Sequence, residues 1–342
     1  MKFSVVLSKL LSGRNLSETD SKKIFTDLFR NRLKKPEAKA LLLLLAKKGE
    51  SEDEILGGLE AIRSLEPPVA VAIPNLMDTC GTGGDGSHSL NVSTLAAIVI
   101  AGAGGKVAKH GNRALSSQCG SSDLIESLGV NLAAPRKMMI ESIRRFGIGY
   151  FHAPFYHPIF SRVQPLRREL KTRTLFNYMG PLLNPLKVEC QLIGVADPNL
   201  LPIFSKILQK RKMKRALICH SQEGMDEISS SRPSQVAFLH RGRIIHGKIH
   251  PKRYGFRRVS LSAFSGASPV KNRQQALRFL KGKLRGPLRD LVLINSAAGL
   301  VIAGKAKTLR EGLVLAERSI TSGRAYRALL GLKRLSQGRN KA

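Results

Sequence analysis

Two short segments hold most of the chemistry-bearing side chains in this 342-residue chain. The first is Cys80-Gly81-Thr82-Gly83-Gly84-Asp85-Gly86, followed by Ser89 and then Asn91-Val92-Ser93-Thr94. Glycines let a backbone approach a phosphate closely and turn its N–H groups inward. Asn91, Ser93 and Thr94 then open an apolar helix whose first donors suit an anion. Taken alone, the same residues also make an ordinary glycine turn with a hydroxyl-capped helix. The second segment is Lys109-His110-Gly111-Asn112-Arg113, continued by Ala114, Leu115, Ser116-Ser117 and Gly120-Ser121. It gathers cations, an amide and hydroxyls, each bond to a charged oxygen contributing roughly 1.5–3 kcal/mol. The plainer alternative is a solvated polar loop after a strand.

Two familiar phosphate motifs are tested and set aside. Gly81, Gly83 and Gly86 have GxGxxG spacing, but Lys106 stands where a dinucleotide fold places an acid. That fold also places its loop after the first strand, not behind a helical segment. A Walker loop fails because Val107 follows Gly105-Lys106 and Ile100 occupies the first glycine position. Further along, the adjacent carboxylates Asp226 and Glu227 follow a strand-like run, an arrangement suited to a hard cation but also to a surface loop. His246 and His250 have HxxxH spacing with Gly247 between them, which fits a loop or strand better than zinc.

These side chains must be positioned by elements the sequence also announces. Residues 1–66 read as helices: Ser17 with Asp20 and Ser51 with Glu54 resemble capping boxes, Pro36 suits a first turn, and Gly49 ends a run. Pro67-Pro68 stops helical continuation. After Pro74, short apolar runs alternate with helical patterns. Strands are expected at 106–108 and 215–219, and a hairpin over 235–249 turning at Arg241-Gly242-Arg243. Helices are expected over 93–101, 122–128, 136–145 and 309–335. The expectation is an α/β fold: a small all-α N-terminal domain over 1–72, joined by a helical segment near 165–185, and a large α/β domain over 73–342 with a central mixed sheet flanked by helices.

Composition narrows the class. Hydrophobic residues make up 42% of the chain, enough for packed cores and against disorder as the main state. The most apolar stretch, 95–105, is short and glycine-rich, which argues against a membrane protein. The N-terminal MKFSVVLSKLLSG resembles a signal peptide only briefly, since Lys9 interrupts the apolar run. Four scattered cysteines without a CxxC pair argue against a zinc ribbon or disulfide framework and fit a reducing cytoplasm. The net charge of +33 is uneven: residues 131–342 hold 41 basic and 10 acidic side chains. Such a field favours anionic partners, whether phosphorylated metabolites, nucleic acid or a membrane surface.

The motifs in their order resemble the anthranilate phosphoribosyltransferase family of tryptophan biosynthesis. Beyond GTGGDG–NVST and KHGNR–SS–GS, the likeness runs through GIGYFHAP at 147–154, PLRREL at 165–170, NYMGPLLNP at 177–185, GMDEIS at 224–229 and Ala303-Gly304-Lys305. It covers almost the whole chain. The resemblance implies a magnesium-dependent pentosyltransferase, holding two Mg2+ ions, cytoplasmic, and paired as a homodimer through its helical parts. It implies a phosphoribosyl pyrophosphate site made of Gly81, Gly84, Asp85, Ser89, Asn91, Val92, Ser93, Thr94, Lys109 to Ser117 and Ser121. Ser93, Asp226 and Glu227 correspond to the metal ligands, and Lys109, Asp226 and Glu227 to the catalytic groups. Gly81, Asn112 and Arg167 correspond to the anthranilate site, with Arg168 the alternative if the register slips by one. Tyr156 stands where the family often has histidine.

Two competing readings remain at this level. One is a nucleic-acid-binding relative that uses its basic C-terminal half, which low aromatic content and the intact carboxylate pair do not favour. The other is a nucleoside phosphorylase of the same fold class, against which the full set of KHGNR, PLRREL and DEIS motifs argues.

Overall fold

The computed structural model describes residues 2–87, 89–113, 119–266 and 268–338. The chain divides into two compact units: Met1–Val69 with Pro154–Pro185, and Ala70–Ala153 with Leu186–Ala342.

The first unit is helical. Helices α1 (Phe3–Leu11), α2 (Glu18–Phe29), α3 (Lys35–Lys48) and α4 (Glu52–Leu65) precede α8 (Ala153–Tyr156) and α9 (Phe160–Leu170) in this part of the structure. The capping residues act as expected at α4, where Ser51 Oγ accepts from Glu54 N–H and Glu54 Oε2 accepts from Ser51 N–H at 2.7 Å. At α2 only half the box forms. Ser17 Oγ accepts from Asp20 N–H, while the Asp20 carboxylate turns to Lys9 Nζ at 2.7 Å. Gly49 ends α3 at φ +85°, a conformation open to glycine at little cost. Phe25, Phe29, Phe160 and Phe176 meet edge to face with centroids 5.8–6.4 Å apart, the favoured geometry for ring quadrupoles.

The returning segment of this unit starts at Pro154 rather than near 165. The cause is a polar anchor: Glu66 binds both His157 Nδ1 at 3.1 Å and Ile159 N–H at 2.8 Å, and His157 Nε2 reaches Leu183 O at 2.8 Å. Nor is the segment helical throughout. Lys171 at φ +48° ends α9, and only short 3₁₀ turns at Leu175–Asn177 and Gly180–Leu182 follow.

The second unit is built on a seven-stranded sheet. Its strands are β1 (Met77–Gly81), β2 (Val107–Gly111), β3 (Ile148–His152), β4 (Cys190–Gly194), β5 (Arg215–Ser221), β6 (Ser234–His240) and β7 (Arg243–Ile249). Their spatial order is β3-β2-β1-β4-β5-β6-β7. The first five run parallel, and β6 and β7 add antiparallel at one side, so the sheet is mixed as expected. Helices α5 (Val92–Gly102), α6 (Ser121–Ser127), α7 (Arg136–Phe146), α10 (Leu200–Lys210), α11 (Pro269–Leu280), α12 (Pro287–Ile302), α13 (Leu309–Thr321) and α14 (Arg324–Ser336) complete the unit. Helix α5, buried over almost its whole length, packs on α12 and on β1.

The hairpin forms as expected, with Arg241 at φ +50° and Gly242 at φ +74°, the pair of positive φ values that matches strand twist. The single helix expected over 309–335 is instead two, because Gly323 takes φ +71° between α13 and α14. Among the described residues, no helix is long and apolar enough to cross a membrane.

Candidate active site

The chain runs β1, β2, β3 outward on one side and then crosses back to place β4 on the other side of β1. In open α/β sheets that reversal opens a crevice at the carboxyl ends of the strands, where ligands bind. The predicted residues gather there: Gly81 ends β1, Gly111 ends β2, Gly194 ends β4, and Asp226 and Glu227 follow β5.

The glycine loop is tied to the carboxylates directly. Gly83 N–H donates to Asp226 Oδ2 at 2.7 Å, and Asp226 N–H approaches Asp85 Oδ2 at 3.4 Å. Asp85 also accepts from Ser87 N–H at 3.1 Å and Ser87 Oγ at 2.6 Å, and Ser89 N–H donates to Ser87 Oγ at 3.3 Å. Gly83, Gly84 and Gly86 all have φ near +70°, which turns their N–H groups in directions a β-branched chain could not. The site also needs glycine for space: a methyl on Gly81 would overlap Asp226 Oδ2, and one on Gly194 would overlap the Asp226 carbonyl.

Asn91 caps α5, its Nδ2 donating to Cys119 O at 3.0 Å. Asn91 Oδ1 and Thr94 Oγ1 are buried without a hydrogen-bond partner among the described residues. Val92 and Thr94 are buried, and Ser93 O accepts from Thr79 Oγ1 at 2.9 Å. Ser93 N–H faces Glu227, lowering the cost of charge on that carboxylate.

Burial and mutual repulsion nevertheless dominate. Burial first, then the negative charge of Asp85, lifts the Asp226 carboxyl to about 7. Burial first, then Asp226 and Asp85, pushes Glu227 well above the usual range, and the Lys109 charge pulls it back. A bound cation would relieve this repulsion and favour the ionised carboxylates. Hard-cation chemistry fits these groups: Asp226, Glu227 and Ser93 are oxygen donors of the kind magnesium prefers. Among the described residues no group of three or more His, Cys, Asp or Glu side chains is placed to hold a metal unaided.

The second loop sits at the end of β2. Lys109 is buried, with Nζ donating to His110 O at 2.7 Å. His110 N–H donates to Asp78 Oδ1 at 3.1 Å, so His110 shapes the loop through its backbone. Gly111 again has no room for a methyl, which would overlap Ser121 Oγ and Tyr150 Oη. Ser121 Oγ closes the loop by exchanging bonds at 3.1 Å with Asn112 N–H and O. The side chain of Asn112 accepts from Arg113 N–H at 2.8 Å. Arg113 turns away to Asp123 and Glu126, each at 2.8 Å, which raise its already high pKa. Ala114, Leu115, Ser116 and Ser117 lie outside the described residues.

Arg167 belongs to the helical unit, on α9. Its guanidinium lies 5.9 Å from the Phe176 centroid and burial lowers its pKa, whereas Arg168 is exposed.

Several supporting residues had no sequence signal. Asp78 is a strand residue fully buried in β1, and Gly194 is simply the last residue of an apolar strand. Asn295, deep in α12, accepts from Ile228 N–H at 3.0 Å and donates to Ile228 O at 2.8 Å, fixing the chain just after Glu227. Ser122 joins Tyr150 Oη and His152 Nδ1, both at 2.8 Å, behind Gly111. Their roles depend on pairings between distant parts of the chain.

A glycine-lined crevice beside an acidic pair, on such a sheet and with a helical unit, is the arrangement of a glycosyl transferase. Residues 73–326 match the glycosyl transferase family, a/b domain, and residues 4–65 match the glycosyl transferase family, helical bundle domain. Within that class, the anthranilate phosphoribosyltransferase of Desulfosudis oleivorans is 40% identical over 327 residues, 96% of each chain. That of Desulfitobacterium hafniense is 41% identical, covering 96% of this chain and 97% of the relative. The crystal structure of anthranilate phosphoribosyltransferase from Thermus thermophilus superposes with a TM-score of 0.90 at 37% identity, covering 97% of this chain and 99% of that one. The Saccharomyces cerevisiae enzyme in complex with PRPP and Mg gives 0.88 at 27% identity over 98% of each. The chain belongs to the anthranilate phosphoribosyltransferase family.

Proposed function

We propose that this chain transfers the phosphoribosyl group of phosphoribosyl pyrophosphate to the amine of anthranilate, giving N-(5-phosphoribosyl)anthranilate and pyrophosphate for tryptophan biosynthesis. The observation that carries this reading is the Gly83–Asp226 hydrogen bond at 2.7 Å, which fastens the phosphate loop to the acidic pair. The Saccharomyces cerevisiae relative forms one complex with PRPP and Mg and another with 4-fluoroanthranilate, which supports the same pair of substrates here.

In this reading Ser93, Asp226 and Glu227 hold magnesium, two ions in all, and Lys109, Asp226 and Glu227 are the catalytic groups. When bound, the metal supplies positive charge against the departing pyrophosphate. The chain does the rest. Gly81, Gly84, Asp85, Ser89, Asn91 and the start of α5 present backbone and side-chain donors to phosphate oxygens. Lys109 contributes a buried positive charge, most valuable where water is scarce. Arg167 offers a planar fork for the anthranilate carboxylate, and it has no acidic partner among the described residues. By the family resemblance, Asn112 and the Gly81 backbone correspond to the groups that meet the amine. That amine is neutral at pH 7, so positioning rather than a strong base provides the rate.

The Arg113 guanidinium, tied to Asp123 and Glu126, contacts phosphate only if it leaves them or shares them. The reading also takes the chain as a cytoplasmic homodimer; all four cysteines are free thiols, as a reducing compartment requires. The test is product analysis on purified protein. Anthranilate with phosphoribosyl pyrophosphate and Mg2+ is expected to give the phosphoribosylated amine, and thymidine or uridine with phosphate to give no free base. Nucleoside cleavage without anthranilate consumption would overturn the assignment.

A further inference from the structure

Catalysis does not account for the charge on the far side of the sheet. From residue 228 to residue 289 the sequence contains 15 Lys and Arg and no Asp or Glu. Seven of these cations fall in 18 consecutive residues: Arg241, Arg243, Lys248, Lys252, Arg253, Arg257 and Arg258. All seven are exposed, and none has an acidic partner among the described residues. An eighth cation joins them, since Arg310 Nη2 donates to the Arg253 carbonyl at 3.2 Å.

The geometry beneath this charge is specific. Strand β7 is one of the two edges of the sheet, paired among the described residues on one side only, with β6. In the antiparallel register Phe238 lies opposite Ile245 and His240 opposite Arg243. Residues directly opposite share a face, as do residues two apart. One face therefore carries Phe238, His240, Arg243 and Ile245 together. Phe238 and His240 are half-buried, with ring centroids 5.8 Å apart and planes tilted 36°, and Ile245 is 61% exposed. An edge strand can be protected by charge alone. Protection does not call for an aromatic pair and an exposed isoleucine in the middle of it.

We propose that the β6–β7 edge and the segment to Arg258 bind single-stranded nucleic acid, separately from the active site. Arg243 on that face, Lys248 from the opposite face of the edge strand and the cations of the following segment meet successive phosphates, and the Phe238–His240 face offers bases a stacking surface. Ring-on-base stacking combined with a basic track is the physical basis of sequence-tolerant single-strand binding. A flat sheet face with outward aromatics suits splayed bases better than a closed duplex. Charge complementarity names the occupant as a polyanion, and the aromatic pair distinguishes a base-bearing one.

The test is fluorescence anisotropy of a labelled oligouridylate of about 15 nucleotides, the length scale of single-strand sites, with the full chain across a salt series. Binding is expected at about 100 mM NaCl, weakening with salt. The variant Arg243→Ser/Lys248→Ser/Lys252→Ser/Arg257→Ser should bind at least tenfold more weakly and flatten the slope of log K against log salt by about 3, four contacts at about 0.7 each. Its turnover of anthranilate should match the parent, which also shows that it is folded. A control of equal charge, Lys22→Ser/Lys23→Ser/Arg30→Ser/Lys34→Ser, should keep the affinity. Phe238→Leu should weaken the oligonucleotide but not heparin. Equal loss in the control, equal binding of heparin in every variant, tighter binding to anionic lipid vesicles than to oligouridylate, or no binding at the starting salt would each overturn the proposal.

Discussion

Two glycines at the ends of neighbouring strands face the same residue, and replacing each by alanine should give different phenotypes. Gly81 in β1 and Gly194 in β4 pair across the ladder and both look onto Asp226. A methyl on Gly81 meets the carboxylate, with Asp226 Cγ at 2.9 Å, so the side chain has to swing aside by about an ångström to restore contact distance. That movement breaks the Gly83 N–H bond to Oδ2, and a bond to a charged group is worth about 1.5–3 kcal/mol. The backbone at Gly81 does not need positive φ, so alanine returns roughly 0.4–1 kcal/mol through the unfolded chain. Gly81→Ala should therefore still fold, with a net stability loss of about 0.5–2.6 kcal/mol, while kcat/KM falls at least about tenfold because the displaced carboxylate leaves the site. A methyl on Gly194 meets the Asp226 carbonyl instead, and backbone cannot rotate away. Gly194→Ala should lose more than about 3 kcal/mol of stability. The assay pairs urea denaturation with steady-state kinetics at subsaturating Mg2+. Parent-like kcat/KM in Gly81→Ala, or parent-like stability in Gly194→Ala, refutes the reasoning.

The remaining expectations concern charge and buried polar groups. Asp226 titrates at about 7 in the fold against 3.8 in the unfolded chain, so its contribution to stability is complete below about pH 4 and is lost as pH rises through about 7. The metal-free protein should therefore lose stability as pH rises from about 4 through about 7, and Asp226→Asn in chelator should show a flatter stability–pH curve; an unchanged curve would contradict it. Asp78→Ala leaves the His110 N–H without its acceptor in a buried strand, and denaturation should show a loss of about 1.5–3 kcal/mol. Arg113→Ala removes ion pairs from a half-exposed guanidinium, so its stability cost should stay below about 1 kcal/mol in the same measurement. Asn295→Leu strands both Ile228 backbone groups and should raise the KM for phosphoribosyl pyrophosphate as well as lower Tm, a split that thermal melts and kinetics together would expose.

The readable part of this protein was local. Caps such as Ser51 with Glu54, the Arg241-Gly242 turn and the glycines at 83, 84 and 86 act through residues within a few positions of one another, and their types alone dictate the geometry. The site segments were legible for the same reason, each being a contiguous run at a strand end. What stayed hidden was set by contacts between remote segments. Nothing around Gly194 announces that the Asp226 backbone packs on it, and nothing around Asn295 announces a partner 67 residues away. Arg113 reads as a phosphate ligand beside Lys109, yet α6 brings Asp123 and Glu126 to its guanidinium. Gly323 looked like one more small residue within an apolar periodicity, and its positive φ divides α13 from α14.

The central claim, that the Gly81–Gly86 loop and the Asp226–Glu227 pair form one magnesium-dependent phosphoribosyl-transfer site, is tested most directly by anthranilate consumption with and without Mg2+, in the parent and in Asp226→Asn/Glu227→Gln. The account predicts turnover that requires phosphoribosyl pyrophosphate, disappears in chelator and falls by at least a hundredfold in the folded double variant. Turnover that survives both chelation and the double substitution would contradict it.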